Sequence, residues 1–293
     1  MVKRPPWLKV EASWGENYRR LKSLLADSNL HTVCQEANCP NINHCFGNKT
    51  ATFLILGNIC TRGCKFCNIK MGTPLPVDSD EPKRVAAAVK KLGLEYAVIT
   101  SVTRDDLSDG GASVFALTIQ EIRNLIPHCK IEVLIPDFLG SFESQKMVLD
   151  AKPDVLNHNL ETVKRLYPQV RRGADYERSL NLLRIARNYD QNLITKSGIM
   201  LGLGETWEEI IELMSDLRNI DCDLLTVGQY LSPSREHLPV SKYYHPNEFA
   251  ELRSMGERMG FLHVESGPLV RSSYQAHKQM KNASKGCFTK EGR

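Results

Sequence analysis

The chain has 293 residues, 42% hydrophobic and 25% charged, with a formal net charge of +4. That length allows one large domain with extensions, since an α/β barrel uses roughly 200–250 residues, and the balance is ordinary for a soluble protein. No apolar run approaches the roughly 20 residues that span a bilayer, and the opening MVKRPPWLKV lacks the apolar stretch of a secretory signal. The expectation is a cytoplasmic protein with no membrane partner.

Residues 1–50 are poor in periodic apolar pattern and rich in Asn, Pro and Cys, which reads as an extension around one short helix near 16–26. From Thr52 the pattern changes. Phe53-Leu54-Ile55-Leu56 reads as a buried strand ending at Gly57. A helix over 82–92 follows, with Pro82 in its first turn and Gly93 as its stop. Further strands are expected at 96–100, 131–136, 155–159, 194–201 and 224–227, separated by helices at 112–125, 143–151, 176–189 and 207–219. Six strands alternating with helices argue for a parallel sheet of the β/α-barrel type. Polar, chemistry-bearing residues fall at the C-terminal ends of these strands, where such barrels place their sites. Residues 242–293 read as a helix near 247–258, a short strand and a tail. The organisation expected is an N-terminal extension over 1–50, a barrel over 51–262 and a C-terminal extension over 263–293. The last sixteen residues carry five basic side chains against Glu291, a feature suited to an acidic partner or simply to a solvated end. No base-reading motif or aromatic-basic interleaving points to nucleic acid.

Nine cysteines, an odd count, favour metal binding over disulfides, because six of them group between positions 34 and 67. Cys34, Cys39 and Cys45 are spaced C-x4-C-x5-C, and Cys60, Cys64 and Cys67 are spaced C-x3-C-x2-C. Three thiolates fill three corners of a four-iron, four-sulfur cube and leave one iron open. A structural zinc site would want four ligands, usually in C-x2-C pairs. The first trio, taken alone, also reads as structural or free thiols. Cys129, Cys222 and Cys287 have no partner at ligand spacing and read as packed or free thiols. Asp105-Asp106 suits a capping or loop role, Gly63 a tight turn in the cysteine loop, and Gly202-Leu203-Gly204 a close backbone approach or a plain turn. His31, His44, His158 and His237 lie near motifs and receive no role.

The loop CTRGCKFC, with Phe66 before its last cysteine, resembles the signature of the radical S-adenosylmethionine (SAM) enzymes. That resemblance implies a partial (β/α)6 TIM-like barrel and an open iron that binds SAM through its amino and carboxylate groups, so that one electron yields a 5′-deoxyadenosyl radical. HTVCQEANCPNINHCFG, VITSVTRDDLSDGGA, VLIPDF, NHNLETV, KSGIMLGLGE, TVGQYLSPSREHLPV and RSSYQAHK resemble one family within it, the lipoyl synthases, over nearly the whole chain. His44 and Phe46 depart from the usual Glu-Cys-Trp around Cys45.

The resemblance implies a sulfurtransferase that inserts sulfur at C6 and C8 of a protein-bound octanoyl-lysine. It implies two [4Fe-4S] clusters and SAM as cofactors, with an auxiliary cluster on Cys34, Cys39 and Cys45 as the sacrificial sulfur source. Ser273 would complete that cluster, with Ser272 as the alternative; a hard oxygen leaves iron more readily than a fourth thiolate. Asn159 and Glu161 would hold the SAM ribose, and Arg178 its carboxylate, a task that a guanidinium fork fits. Thr100, Ser101 and Arg104 would contact SAM or substrate. Expected partners are an octanoylated lipoyl carrier (an E2 lipoyl domain or a glycine-cleavage H protein), a reduced donor such as ferredoxin or flavodoxin, and an iron–sulfur carrier. A biotin-synthase-like sulfur inserter and a non-catalytic iron–sulfur protein are the other readings.

Overall fold

Strands and helices alternate from Thr52 to Gly267 in the computed structural model, which describes residues 4–10, 15–48 and 50–287, the last four of these by backbone alone. Two units divide the chain: Val10–Gly63 with Cys67–Asp154, and Met1–Lys9 and Cys64–Phe66 with Val155–Arg293.

The first unit opens with α1 (Glu16–Asp27), which buries Tyr18, Leu21, Leu24 and Leu25 along one helical stripe. The edge strand β1 (His31–Thr32) pairs antiparallel with β2 (Thr52–Ile55). Between them lie two short helices, α2 (Val33–Glu36) and α3 (Ile42–Gly47). After β2 comes a two-stranded ribbon of β3 (Ile59–Cys60) and β4 (Lys70–Met71). Helix α4 (Glu81–Leu92) ends at Gly93, whose φ of 64° is the left-handed stop expected of glycine. Strand β5 (Tyr96–Ser101) runs parallel between β2 and β6 (Lys130–Leu134). Helices α5 (Ala112–Leu125) and α6 (Phe142–Asp150) complete the unit. The strands are apolar on both faces, Phe53, Ile55, Ile99 and Val133 being fully buried, as parallel strands covered by helices must be.

The second unit contains four parallel strands: β7 (Val155–Asn157), β8 (Ile194–Leu201), β9 (Leu224–Gln229) and β10 (His263–Gly267). Its helices are α7 (Tyr167–Val170), α8 (Tyr176–Tyr189), α9 (Trp207–Asn219), α10 (Pro246–Met259) and α11 (Ala276–Cys287). Thr206 and Glu209 close a reciprocal cap on α9.

Beyond small shifts of element ends, such as the strand expected over 131–136 stopping at Leu134, two details differ from the sequence reading. The strand expected to reach residue 159 ends at Asn157, and the chain rejoins β8 only through a bridge from Glu161 to Ile199. Glu161 sits at φ 66°, a left-handed backbone rare for a non-glycine residue and typical of functional positions. The second difference lies in the N-terminal extension, where β1, α2 and α3 are too short to leave a period in the sequence.

Candidate active site

Cys60 closes β3, and its Sγ receives backbone N–H groups from Arg62 (3.4 Å) and Thr103 (3.3 Å). The loop after it is clamped to the end of β5: Thr61 donates its N–H and its hydroxyl to the Thr103 carbonyl, each at 3.0 Å, and Asp105 N–H donates to Thr61 Oγ1. Arg62 is buried between two carboxylates, forked onto Asp105 (2.6 and 2.8 Å) and reaching Asp137 at 2.7 Å. Asp137 is fully buried, so removing Arg62 would strand a charge at a cost of about 3–5 kcal/mol. Asp105 is thus an ion-pair partner and Asp106 pairs with Arg104, which fits a structural role for both aspartates. Gly63 has no left-handed backbone. A Cβ there would instead press within 2.6 Å of the flexible Met71 thioether. In the second unit, Lys65 N–H donates to the Val170 carbonyl (2.9 Å), holding the residue beside Cys64.

Cys34, Cys39 and Cys45 all lie in the first unit. Cys34 is buried on α2, whose first turn is capped by the Thr32 hydroxyl on Gln35 N–H. Cys39 N–H bonds the Cys34 carbonyl, and Cys45 lies on α3. Burial, then the neighbouring Cys39, pushes the Cys34 thiol up to about 12 despite hydrogen bonds from Thr52. Burial, Cys34 and Cys39 push Cys45 to about 12 as well. Thiols that influence one another this way share one neighbourhood. Phe46 is fully buried and packs on Tyr18 with ring centroids 5.4 Å apart, so this departure from the family pattern anchors α3 on α1. His44 is exposed and bonded to Asn48.

Glu36, between Cys34 and Cys39, joins this segment to the other cysteine loop. Its carboxylate contacts His31 Nδ1 (3.0 Å) and accepts from Asn58 (3.4 Å), while its carbonyl accepts from Asn68 (2.9 Å).

In the second unit, the Asn157–Glu161 segment forms a hydrogen-bonded cluster. Asn159 Nδ2 donates to Glu161 Oε1 (3.0 Å), and the half-buried Arg171 donates to the Asn159 carbonyl (2.9 Å). Burial raises the Glu161 carboxyl above its ordinary range against the pull of Arg171. Although burial opposes its charge, Arg171 is held protonated by Tyr167, Glu161 and Cys64. Ser272 bonds Asn157 (2.7 Å) and Asn159 (3.0 Å). Arg178 is half-buried on α8, with its guanidinium on the Gly173 carbonyl (2.7 Å). Ser273 lies half-buried in the turn between β10 and α11. That turn approaches β9 closely: a Cβ on Gly228 would lie 2.1 Å from the Val270 carbonyl oxygen, so only glycine fits there.

Thr100 and Ser101 end β5 in the first unit. The Thr100 hydroxyl donates to the Leu134 carbonyl (2.9 Å), whereas Ser101 Oγ is buried with no hydrogen-bond partner among the described residues. Such an orphan oxygen fits a polar ligand. Cys129 and Cys222 are buried thiols bonded to nearby carbonyls, and the Cys287 side chain lies outside the described residues. Among the described residues no three His, Cys, Asp or Glu side chains are set to hold a single metal ion. The donor chemistry of the two trios, three soft sulfurs each, is that of iron–sulfur cubes, whose irons sit apart at the corners. Sequence reasoning missed Arg62 with Asp137, and it missed Arg171. Their partners lie far along the chain or carry no motif of their own.

Comparison with known proteins agrees with this chemistry. The profile described as the radical SAM superfamily matches residues 54–217, and that of the N-terminal domain of lipoyl synthase matches residues 1–39. The chain is 56% identical to the lipoyl synthase of Rubrobacter xylanophilus over 99% of its own length and 90% of that protein. It is 55% identical to that of Koribacter versatilis, covering 98% and 94%. Among solved structures, methylornithine synthase (PylB) is similar with a TM-score of 0.54 at 18% identity, over 83% of this chain and 74% of that one. HydG, a maturase of the [FeFe]-hydrogenase, gives 0.56 at 14%, over 87% and 56%. These two share the α/β partial-barrel fold, and the sequence relatives are closer still: the chain belongs to the lipoyl synthase family of radical SAM enzymes.

Proposed function

We propose that the protein forms the lipoyl group in place, inserting sulfur at C6 and C8 of an octanoyl chain held by an amide on a lysine of a carrier protein. The observation that carries this is identity of 55–56% to lipoyl synthases over nearly the whole chain, with both cysteine trios present. Each insertion replaces a C–H bond of an unactivated carbon, a methylene at C6 and the terminal methyl at C8, by a C–S bond, which no acid, base or nucleophile of a protein achieves. When bound, SAM and the two clusters supply the hydrogen abstraction and the sulfur.

The chain's own residues bind and orient. Cys60, Cys64 and Cys67 would hold the SAM-binding cluster, its fourth iron left open. Cys34, Cys39 and Cys45, with Ser273 as fourth ligand, would hold the auxiliary cluster, so the segments 1–50 and 263–293 both serve it around the 51–262 barrel. Asn159 and Glu161 would bind the ribose diol, the carboxylate accepting from a hydroxyl as Asn159 now donates to it. Arg178 would exchange its carbonyl contact for the SAM carboxylate. Thr100 and Ser101 would contact SAM or substrate, the orphan Ser101 hydroxyl being the better placed.

The carrier would be an E2 lipoyl domain or a glycine-cleavage H protein, the electron donor a ferredoxin or flavodoxin, and the auxiliary cluster would be rebuilt by an iron–sulfur carrier. Among the described residues no helix is long and apolar enough to cross a membrane, which fits reaction in the cytoplasm. The test is mass spectrometry of an octanoylated lipoyl-domain peptide after anaerobic incubation with SAM and reductant. Gain of two sulfurs is expected; SAM cleavage with no sulfur gained would overturn the proposal.

A further inference from the structure

Family resemblance leaves two adjacent serines as candidate ligands, and their surroundings separate them. The Ser272 hydroxyl has one proton to give, and it goes to Asn159 Oδ1 at 3.0 Å; its oxygen accepts Asn157 Nδ2 at 2.7 Å. Its proton and one of its two lone pairs are thus engaged by residues just at and after the end of β7, 113 to 115 positions away in sequence.

This arrangement does something specific to Asn159. An amide has an oxygen end and a nitrogen end, and Ser272 fixes the oxygen end. The NH2 group must then face Glu161, where it donates to Oε1 at 3.0 Å. In the opposite orientation the amide oxygen would face a carboxylate, two acceptors with no proton between them. The Asn159 amide also lies close over β8: a Cβ on Gly198 would come within 2.9 Å of Asn159 Oδ1 and 2.5 Å of Thr226 Oγ1, so glycine is what leaves room for it there. Arg171 fixes the backbone through the carbonyls of Asn159 (2.9 Å) and Leu160 (3.3 Å).

We propose that Ser272 is a positioning residue: it sets the Asn159 amide and the Glu161 carboxylate for the SAM ribose, and so ties the turn that carries Ser273 to the state of the SAM site. The inference rests on the ribose role proposed above for Asn159 and Glu161. Ser272 and Ser273 share one peptide bond within the turn at 272–275, and the Val270 carbonyl packs that segment against Gly228. Displacement of this turn would therefore reach the diol site, and by linkage SAM binding would act back on the turn.

The test uses the full chain, anaerobically reconstituted, with SAM affinity read by equilibrium dialysis and iron counted per chain. Ser272→Ala is expected to weaken SAM binding about tenfold, the scale of one lost buried hydrogen bond, while keeping about eight irons. Ser272→Thr, which retains the hydroxyl, should stay within about threefold of the parent. Asn159→Ala should weaken SAM as well, and the double variant should bind no worse than Asn159→Ala alone. Loss of about four irons in Ser272→Ala would make it a cluster ligand and overturn the inference. So would unchanged SAM affinity in Ser272→Ala alongside weakened binding in Asn159→Ala, or additive effects in the double variant. Unchanged affinity in Asn159→Ala would instead remove the ribose reading itself.

Discussion

The two cysteine segments offer their sulfurs very different surroundings. Around Cys60, two backbone N–H groups point at the sulfur, and the intervening Arg62 is locked into two carboxylates. Around Cys34 and Cys45, the influences are burial, the neighbouring thiols and, for Cys34, hydrogen bonds from Thr52; no cation is among them. Hydrogen bonds to sulfur and the burial of a cluster set its potential and its tenacity. One segment thus surrounds its first sulfur with a fixed polar frame, and the other buries its thiols beside one another.

The strongest way to break this contrast is to delete one thiol from each. Cys64→Ala should reduce SAM cleavage to background, whereas Cys39→Ala should leave it within about threefold while bound iron falls by about half and sulfur product disappears. 5′-Deoxyadenosine and lipoyl product, quantified together, check both. Normal lipoyl yield from Cys39→Ala would erase the distinction.

A smaller effect is expected from Arg62→Ala, which leaves the fully buried Asp137 without its cation. Metal-free protein should lose about 3 kcal/mol of stability in urea melts. After reconstitution the shortfall in iron should fall on the SAM-binding cluster, seen as a weakened spectroscopic response to SAM. An equal loss from both clusters would show that Arg62 supports the fold generally and not its loop.

Smallest of all is Glu36→Gln. His31 and Glu36 are each about 30% exposed, so the pair contributes under about 1 kcal/mol and is screened by salt. A melting point lower by about 1–3 °C at low ionic strength should return to the parent value in high salt. A drop that ignores salt would assign the effect to the Asn58 contact instead.

Much of the barrel is legible in the sequence because its elements are long and patterned. Helices Ala112–Leu125, Tyr176–Tyr189 and Trp207–Asn219 and strand Ile194–Leu201 have the bounds that periodicity and caps imply. The cysteines are legible for another reason: ligand spacing is local. What sequence conceals is the support around them. Arg62 meets Asp137 across 75 positions, and Ser272 meets Asn159 across 113, separations that leave no pattern. The strand at 155–159 reads two residues too long because His158 and Asn159 are buried like strand residues, although the chain has already left the ladder to present Glu161.

The pairing of β1 with β2 bears on how such an enzyme can be assembled or pared down. His31 and Thr32 cover the flank of Leu54 and Phe53, and the next residues carry the first cysteines. Cutting away the N-terminal fifty residues would not leave a lean ancestral barrel. It would bare backbone donors and acceptors on a strand that is apolar from Phe53 to Ile55, the kind of edge that recruits other chains and precipitates. The segment that carries the first cysteine trio is thus not a removable module: the strand that leads into those cysteines also covers the edge of the sheet.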